Sequence, residues 1–251
     1  MKYLAIRGCR IGEGRPKVIL PIVEQTEEAL LEKAAQFSTW KADCVEWRVD
    51  LFADAQDLSA VARCAAKLRV ALKSKLLLIT FRTKAEGGHA ALSHEEYRRY
   101  FHTVLDTDCA DLIDLEFFTA GADLPGLIAD AHTAGAAVVC SSHDFQKTPP
   151  KAELVDRMVR MQQAGADLPK LAVMPRSRTD VLTLLAATAE MADGHPDTPV
   201  ITMSMGALGA VSRLAGEAFG SAMTFANPGT ASAPGQIPLE VVNAALECLK
   251  L

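Results

Sequence analysis

The sequence predicts a (β/α)8 TIM barrel: one domain over residues 1–251, with an N-terminal β-hairpin (residues 1–16) closing its bottom. Three observations carry this. Short apolar, β-rich runs recur at a steady interval, and stretches with helical spacing separate them, a pattern that implies parallel strands. The length of 251 residues matches the roughly 250 that such a barrel takes as a single unit. A doubly wound open sheet, the alternative, usually carries a glycine fingerprint after its first strand, and none occurs here. No Pro- or Gly-rich stretch is long enough to divide the chain.

Taken in order, Tyr3–Cys9 followed by a turn at Ile11–Gly14 reads as the hairpin. The strands are expected at Val18–Val23, Cys44–Val49, Leu76–Phe81, Leu112–Phe117, Ala137–Ser142, Leu171–Met174, Val200–Met205 and Ala222–Ala226. The helices between them are expected at Glu27–Phe37, Leu58–Leu72, His94–Leu105, Leu124–Ala134, Ala152–Ala164, Asp180–Met191 and Leu208–Phe219, with Leu239–Leu249 last.

Composition narrows the function. With 49% hydrophobic residues the chain has ample core and is not of the disordered class. No run approaches the roughly 20 apolar residues of a membrane span, and the N-terminus reads as having no signal peptide. A net charge of −5 argues against a polyanion binder, and no basic, aromatic-interleaved stripe suggests nucleic acid. It leaves room for a small anionic substrate, which needs only a few local cations. The 6 cysteines form neither a CxxC pair nor a zinc spacing, so reduced thiols in a cytoplasmic protein are expected.

Charge enters the strands at one parity. Successive strand residues face opposite sides, so Glu46, Arg48 and Asp50 share a face against Val45, Trp47 and Val49. Asp114 and Glu116 alternate with Ile113, Leu115 and Phe117, while Thr80 with Arg82, Ser141 with His143, and Met203 with Met205 gather at strand ends. The carboxyl ends of the strands form the functional face of this architecture. Five strands with matching parity point to one pocket rather than to scattered solvated charges. Asp114 and Glu116 alone are too few to indicate a metal site.

Lys170, in Leu168-Pro169-Lys170-Leu171-Ala172-Val173, is flanked by apolar residues. A buried ammonium tends to lose its proton, and a neutral amine is what attack on a carbonyl needs. The residues equally allow a lysine that snorkels outward or pairs with Asp114 or Glu116. His143, at the end of a buried strand, suits proton transfer near neutrality, or is a hydrogen-bonded core histidine. Glu86 is placed to orient His143, or is a solvated loop charge beside Gly87-Gly88. Arg213 either clamps a carboxylate or lies on the surface. Ser232-Ala233-Pro234-Gly235-Gln236 follows the last strand as a short polar lid over the mouth, or as a plain connector.

These residues stand in motifs similar to those of the type I 3-dehydroquinate dehydratases of the shikimate pathway. The matching segments are Glu46-Trp47-Arg48-Val49-Asp50, Ile79-Thr80-Phe81-Arg82-Thr83-Lys84-Ala85-Glu86-Gly87-Gly88 and Asp114-Leu115-Glu116, then Ser142-His143-Asp144-Phe145-Gln146-Lys147-Thr148-Pro149. They continue with Lys170-Leu171-Ala172-Val173-Met174-Pro175, Thr202-Met203-Ser204-Met205-Gly206, Ser212-Arg213-Leu214-Ala215-Gly216 and Ser232–Gln236. Each motif is weak alone; their joint order along the whole chain is specific. The resemblance implies dehydration of 3-dehydroquinate to 3-dehydroshikimate by syn elimination. Lys170 forms a Schiff base with the C3 ketone, His143 removes a C2 proton and assists loss of the C1 hydroxyl, and Glu86 supports it. Arg213 binds the carboxylate, Ser232 and Gln236 close over it, and Glu46, Arg48 and Arg82 hold the ring hydroxyls. Met203, Met205, Phe145 and Phe225 pack around the ring. The resemblance further implies no metal or organic cofactor, no nucleic-acid partner, a homodimer and a cytoplasmic location. Where this chain has Pro21 the family often has a small polar residue, so one peripheral contact is expected to be missing. Another Schiff-base barrel enzyme of the class I aldolase kind shares the lysine but needs neither the lid nor the Glu46/Arg48/Arg82 set. A binder that has lost turnover would not need an intact Lys170, His143 and Glu86.

Overall fold

The computed structural model describes residues 2–229 and 233–251. The chain opens on a hairpin of β1 (Leu4–Ile6) and β2 (Cys9–Ile11). Ile6 pairs with Cys9, so the turn is Arg7-Gly8, four residues earlier than the glycine-rich Ile11–Gly14 segment suggested. Both turn residues have positive φ, 47° and 77°, the conformation a two-residue hairpin loop needs to match strand twist. Gly12 and Gly14 instead lead the chain away toward the barrel.

Eight strands build that barrel: β3 (Lys17–Ile22), β4 (Cys44–Arg48), β5 (Leu76–Thr80), β6 (Leu112–Glu116), β7 (Ala137–Asp144), β8 (Leu168–Val173), β9 (Ile201–Ser204) and β10 (Met223–Asn227), and the short β11 (Ile237–Pro238) adds to β10. All neighbours are parallel, in the order β11-β10-β3-β4-β5-β6-β7-β8-β9. The ends meet at a parallel bridge between Val200 and Ser221, where Ala222 N–H donates to Val200 O at 2.8 Å. Around this cylinder run α1 (Glu27–Phe37), α2 (Leu58–Leu72), α3 (His94–Leu105), the single turn α4 (Phe117–Ala120), α5 (Leu124–Thr133), α6 (Lys151–Gln163), α7 (Arg178–Gly194), the turns α8 (Val211–Leu214) and α9 (Gly216–Phe219), and α10 (Leu239–Cys248). Among the described residues no helix is long and apolar enough to cross a membrane.

Helix starts follow their caps. Thr26 and Asp57 accept amides of the first turns of α1 and α2, and Ser93 and Ser177 form reciprocal capping boxes with Glu96 and Asp180. The stretch expected as one helix over Leu208–Phe219 is broken. Ser212 Oγ accepts from Ser204 N–H (2.9 Å) and donates to Gly209 O (2.7 Å), side-chain bonds that compete with a continuous helical ladder.

Strand parity divides the interior into two cores. Val45, Trp47, Ile79, Ile113, Leu115, Val138 and Val173 pack outward against the helices. Ile19, Cys44, Leu76, Leu78, Leu112, Val139, Leu168, Ile201 and Met223 fill the lower lumen, and Ile11 of the hairpin joins them from below. The amino-terminal rim is tied by a repeated device. Asp43, Asp111 and Asp167, each one residue before an even-numbered strand, accept the amides of Val18, Leu77 and Val138 on the preceding strand, all at 2.8 Å. Before β10 a serine stands in: Ser221 Oγ accepts from Thr202 N–H at 3.1 Å. Side chains from outside meet the acids: Arg15 pairs with Asp43, Arg7 and Arg69 with Asp111, and the His132 ring is hydrogen-bonded to Asp167. The bottom of the barrel is therefore plugged and bonded, and among the described residues the polar part of the lumen is the upper one.

Candidate active site

Above the apolar floor, a cavity of about 200 Å³ opens at the carboxyl ends of the strands. Its lining includes Glu46 and Arg48 from β4, Arg82 and Glu86 after β5, His143 and Phe145 at the end of β7, and Lys170 within β8. Met203 and Met205 of the β9 end, Phe225 of β10, Arg213 and Gln236 complete it. Twelve of the residues singled out from sequence thus meet around one space; Ser232 lies outside the described residues. Gly87, Ala172, Ala233 and Pro234 also line it; they stand within the matching segments but carry no side-chain chemistry that would single them out. Pro21, on the lumen-facing parity of β3, is absent from this lining.

The wall formed by β4 to β8 is a charge network. Arg82 reaches Glu116 through Nη1 at 2.8 Å and Asp114 through Nη2 at 2.9 Å, with Glu86 at 3.6 Å. Ser141 Oγ accepts from Arg82 (3.0 Å) and donates to Asp114 Oδ1 (2.7 Å). Glu116 is further held by the Thr83 N–H and by the Thr83 and Thr119 hydroxyls. Buried carboxylates left unpaired would be costly; here Asp50, Asp114 and Glu116 each have a cation and further donors. Burial works against the charge on Arg82, but Asp114 and Glu116 outweigh it and raise its value above the ordinary arginine one. Burial likewise pushes the Asp114 carboxyl up, yet Arg82, Lys170 and the Ser141 hydrogen bond hold it below its ordinary value. Arg48 pairs bidentately with Asp50 at 2.8 Å, and Thr80 Oγ1 donates to Glu46 at 3.0 Å.

Lys170 is 3% exposed, and the strand that carries it begins at Leu168, earlier than expected, because Pro169 is accommodated within the ladder opposite Cys140. Of the alternatives the sequence left open, the structure shows the ion pair: Nζ stands 3.3 Å from Asp114 Oδ2 and 4.8 Å from the centroid of the Phe225 ring.

Glu86 is buried in a 3-10 turn (Lys84–Glu86) that Gly87 ends with φ 86°. A Cβ at Gly87 would come within 2.4 Å of the Phe145 ring, so glycine is required for both backbone and space. The turn brings Glu86 Oε2 to 2.8 Å from His143 Nδ1, and the same oxygen accepts the His143 N–H at 3.1 Å. That leaves Nε2 as the nitrogen free for chemistry. Burial, helped by Asp114 and Glu116 and opposed by Arg82, raises Glu86 to about 8. Burial, with Arg82, Lys170 and Arg48, holds His143 well below the usual 6.5. Both shifts favour a pair without net charge near neutrality.

Across the cavity the wall is different. Arg213, on α8, is 1% exposed, yet among the described residues no carboxylate lies within ion-pair distance of it. Its guanidinium donates to Pro234 O at 3.1 Å and touches Met203 Sδ at 3.7 Å, while Nε has no partner among the described residues. Burial alone draws its value down to about 10, which still leaves a full cation at neutral pH. The turn that carries it is pinned on two sides: Ser212 binds Ser204 on β9, and Thr224 Oγ1 of β10 donates to Arg213 O at 2.9 Å.

A closed barrel with a plugged base and a charged, partly apolar chamber at the carboxyl ends of its strands defines an α/β-barrel enzyme acting on a small molecule. Comparison with known proteins supplies the particular family. A sequence model described as Type I 3-dehydroquinase matches residues 18–251. The 3-dehydroquinate dehydratase of Bacillus subtilis (strain 168) is 45% identical over 249 residues, 99% of this chain and 98% of that one. Its counterpart in Listeria welshimeri is 47% identical over 249 residues, with the same 99% and 98% covered. The crystal structure of the type I 3-dehydroquinate dehydratase of Clostridium difficile, with covalently modified comenic acid, superposes with a TM-score of 0.96 at 41% identity, covering 99% of this chain and 98% of that one. The Enterococcus faecalis 3-dehydroquinate dehydratase gives 0.93 at 40% identity, covering 99% and 100%. The chain belongs to the type I 3-dehydroquinase family and is a carbon–oxygen lyase of that type.

Proposed function

We propose that the chain dehydrates 3-dehydroquinate to 3-dehydroshikimate through an imine on Lys170, with His143 moving the protons. The observation that supports this most directly is that one cavity joins Lys170, the His143–Glu86 pair and Arg213, which has no carboxylate partner among the described residues. A proton beside a ketone is weakly acidic; a protonated imine turns the carbonyl carbon into an electron sink. His143, its Nδ1 held by Glu86, then takes the C2 proton at Nε2, worth on the order of 10²–10⁴-fold. The resulting enamine expels the C1 hydroxyl, on the same face, as it picks up a proton. Hydrolysis of the imine frees Lys170 and releases the conjugated enone. Arg213 holds the substrate carboxylate, whose charge does not change during reaction, so it binds and orients. Glu46, Arg48 and Arg82 take the ring hydroxyls; Met203, Met205, Phe145 and Phe225 flank the ring; Ser232 and Gln236 close over the carboxylate. The same reading takes the enzyme to work without metal or organic cofactor, as a cytoplasmic homodimer, on the family resemblance.

Sodium borohydride added with 3-dehydroquinate should leave a reduced adduct on the Lys170 peptide in the mass spectrum. Lys170→Ala should abolish both the adduct and the rise in enone absorbance, with turnover down by at least about 10⁴-fold. An unmodified Lys170 peptide in a turning-over wild-type enzyme would falsify the imine.

A further inference from the structure

Imine formation conserves charge at nitrogen. An ammonium and a ketone give a protonated imine and water: the C=O bond and two N–H bonds break, a C=N bond forms, and both protons leave on oxygen. The nitrogen is neutral while it attacks. The protonated imine that results is a cation in a buried place, and a buried cation needs compensation.

Two contacts supply it. The Asp114 carboxylate lies 3.3 Å from Nζ, and the face of the Phe225 ring lies 4.8 Å away, the arrangement in which an aromatic quadrupole attracts a cation. Asp114 is built to stay an anion, since Arg82 Nη2 and Ser141 Oγ both donate to it. We propose that Asp114, backed by the Phe225 ring, is a catalytic residue: the counter-ion that keeps the Lys170 imine protonated. The proposal rests on the Schiff-base reading. It also explains why one oxygen, Oδ2, is shared between Lys170 and Arg82. Proton abstraction turns the iminium into a neutral enamine, and Asp114 then loses its partner. Arg82, at 2.9 Å, keeps the carboxylate compensated through that step, so the site tolerates both charge states of the nitrogen.

Two hydride reagents separate the states. Borohydride reduces neutral and protonated imines alike; near neutrality cyanoborohydride reduces only the protonated form. In wild-type enzyme with 3-dehydroquinate, both should label Lys170 to similar extents. In Asp114→Asn, borohydride labelling should persist while cyanoborohydride labelling falls at least tenfold and kcat falls with it. Phe225→Leu leaves the Asp114 network intact and should fold even where Asp114→Asn does not; its cyanoborohydride labelling should fall about threefold relative to borohydride. Equal labelling by the two reagents in Asp114→Asn, or an undiminished ratio in Phe225→Leu, overturns the seat described here, as does wild-type labelling by borohydride alone. Labelling by neither reagent in the wild type overturns the imine itself.

Discussion

Arg82 and Arg213 are both buried guanidinium groups, and they face the same cavity from opposite sides of the barrel. Arg82 follows β5 and meets Asp114, Glu116 and Glu86; Arg213 follows β9 and meets a carbonyl and a thioether. The first cation is neutralised by the protein before any ligand arrives. The second is held, desolvated and unmatched, by a turn bonded to two strands. A folded chain that keeps an uncompensated buried charge gives up stability for it. The gain is a place where an anion is bound at a fixed point. The contrast teaches that residue type and burial do not by themselves assign a role: what decides it is whether the partner is part of the fold.

Substitutions at the two arginines should therefore part company. Arg82→Ala strands two buried carboxylates and should cost about 3–5 kcal/mol, a fall in Tm on the order of 10 °C by calorimetry; an unchanged Tm would dissolve the contrast. Arg213→Ala should leave Tm equal or higher while KM rises on the order of 10²-fold with little change in kcat. A loss confined to kcat would mean that Arg213 acts on the chemistry rather than on binding.

The His143–Glu86 pair sits at the seam between the walls. With Glu86 at about 8, an extra proton stays on the pair below that pH, and the form with a bare Nε2 grows as pH rises through it. The rate should climb across that window. Glu86→Gln removes the carboxyl, so the rise should move down to the His143 titration, which burial places below 6.5, and the plateau should drop about tenfold with the loss of the orienting bond. A rise that stays near pH 8 in that variant would assign it to another group. The smallest effect is expected at Thr224→Val, which removes one hydrogen bond to the Arg213 carbonyl. It should raise KM a few-fold, consistent with about 1 kcal/mol, and no change would show that Ser212 alone positions the turn.

Much of the barrel was legible along the chain because apolar periodicity is a local property. Glu27–Phe37, Leu58–Leu72 and His94–Leu105 were read with the bounds they have, since caps and apolar spacing agree there. Where local signals compete, the structure departs from the pattern. Glycines at 12 and 14 drew the hairpin turn away from Arg7-Gly8, and serine bonds to neighbouring strands broke the helix expected over Leu208–Phe219. The rim device has a signal too: Ala42-Asp43, Ala110-Asp111 and Ala166-Asp167 recur before alternate strands. Asp114, Glu116 and Ser141 stood on the right parity, but nothing along the chain told which cation each would meet.

Strand parity and order place charged side chains on the lumen side at the carboxyl ends of the strands, and the residues alone determine that much, because alternation and apolar spacing are written one after another. Which carboxylate compensates Arg82, that Asp114 reaches Lys170, and that Arg213 has no acid beside it among the described residues were decided only by the closed barrel. Coulomb energy and desolvation depend on distances between groups far apart in the chain, with separations from 32 (Arg82 and Asp114) to 56 (Lys170 and Asp114), and those distances exist only once the cylinder has formed.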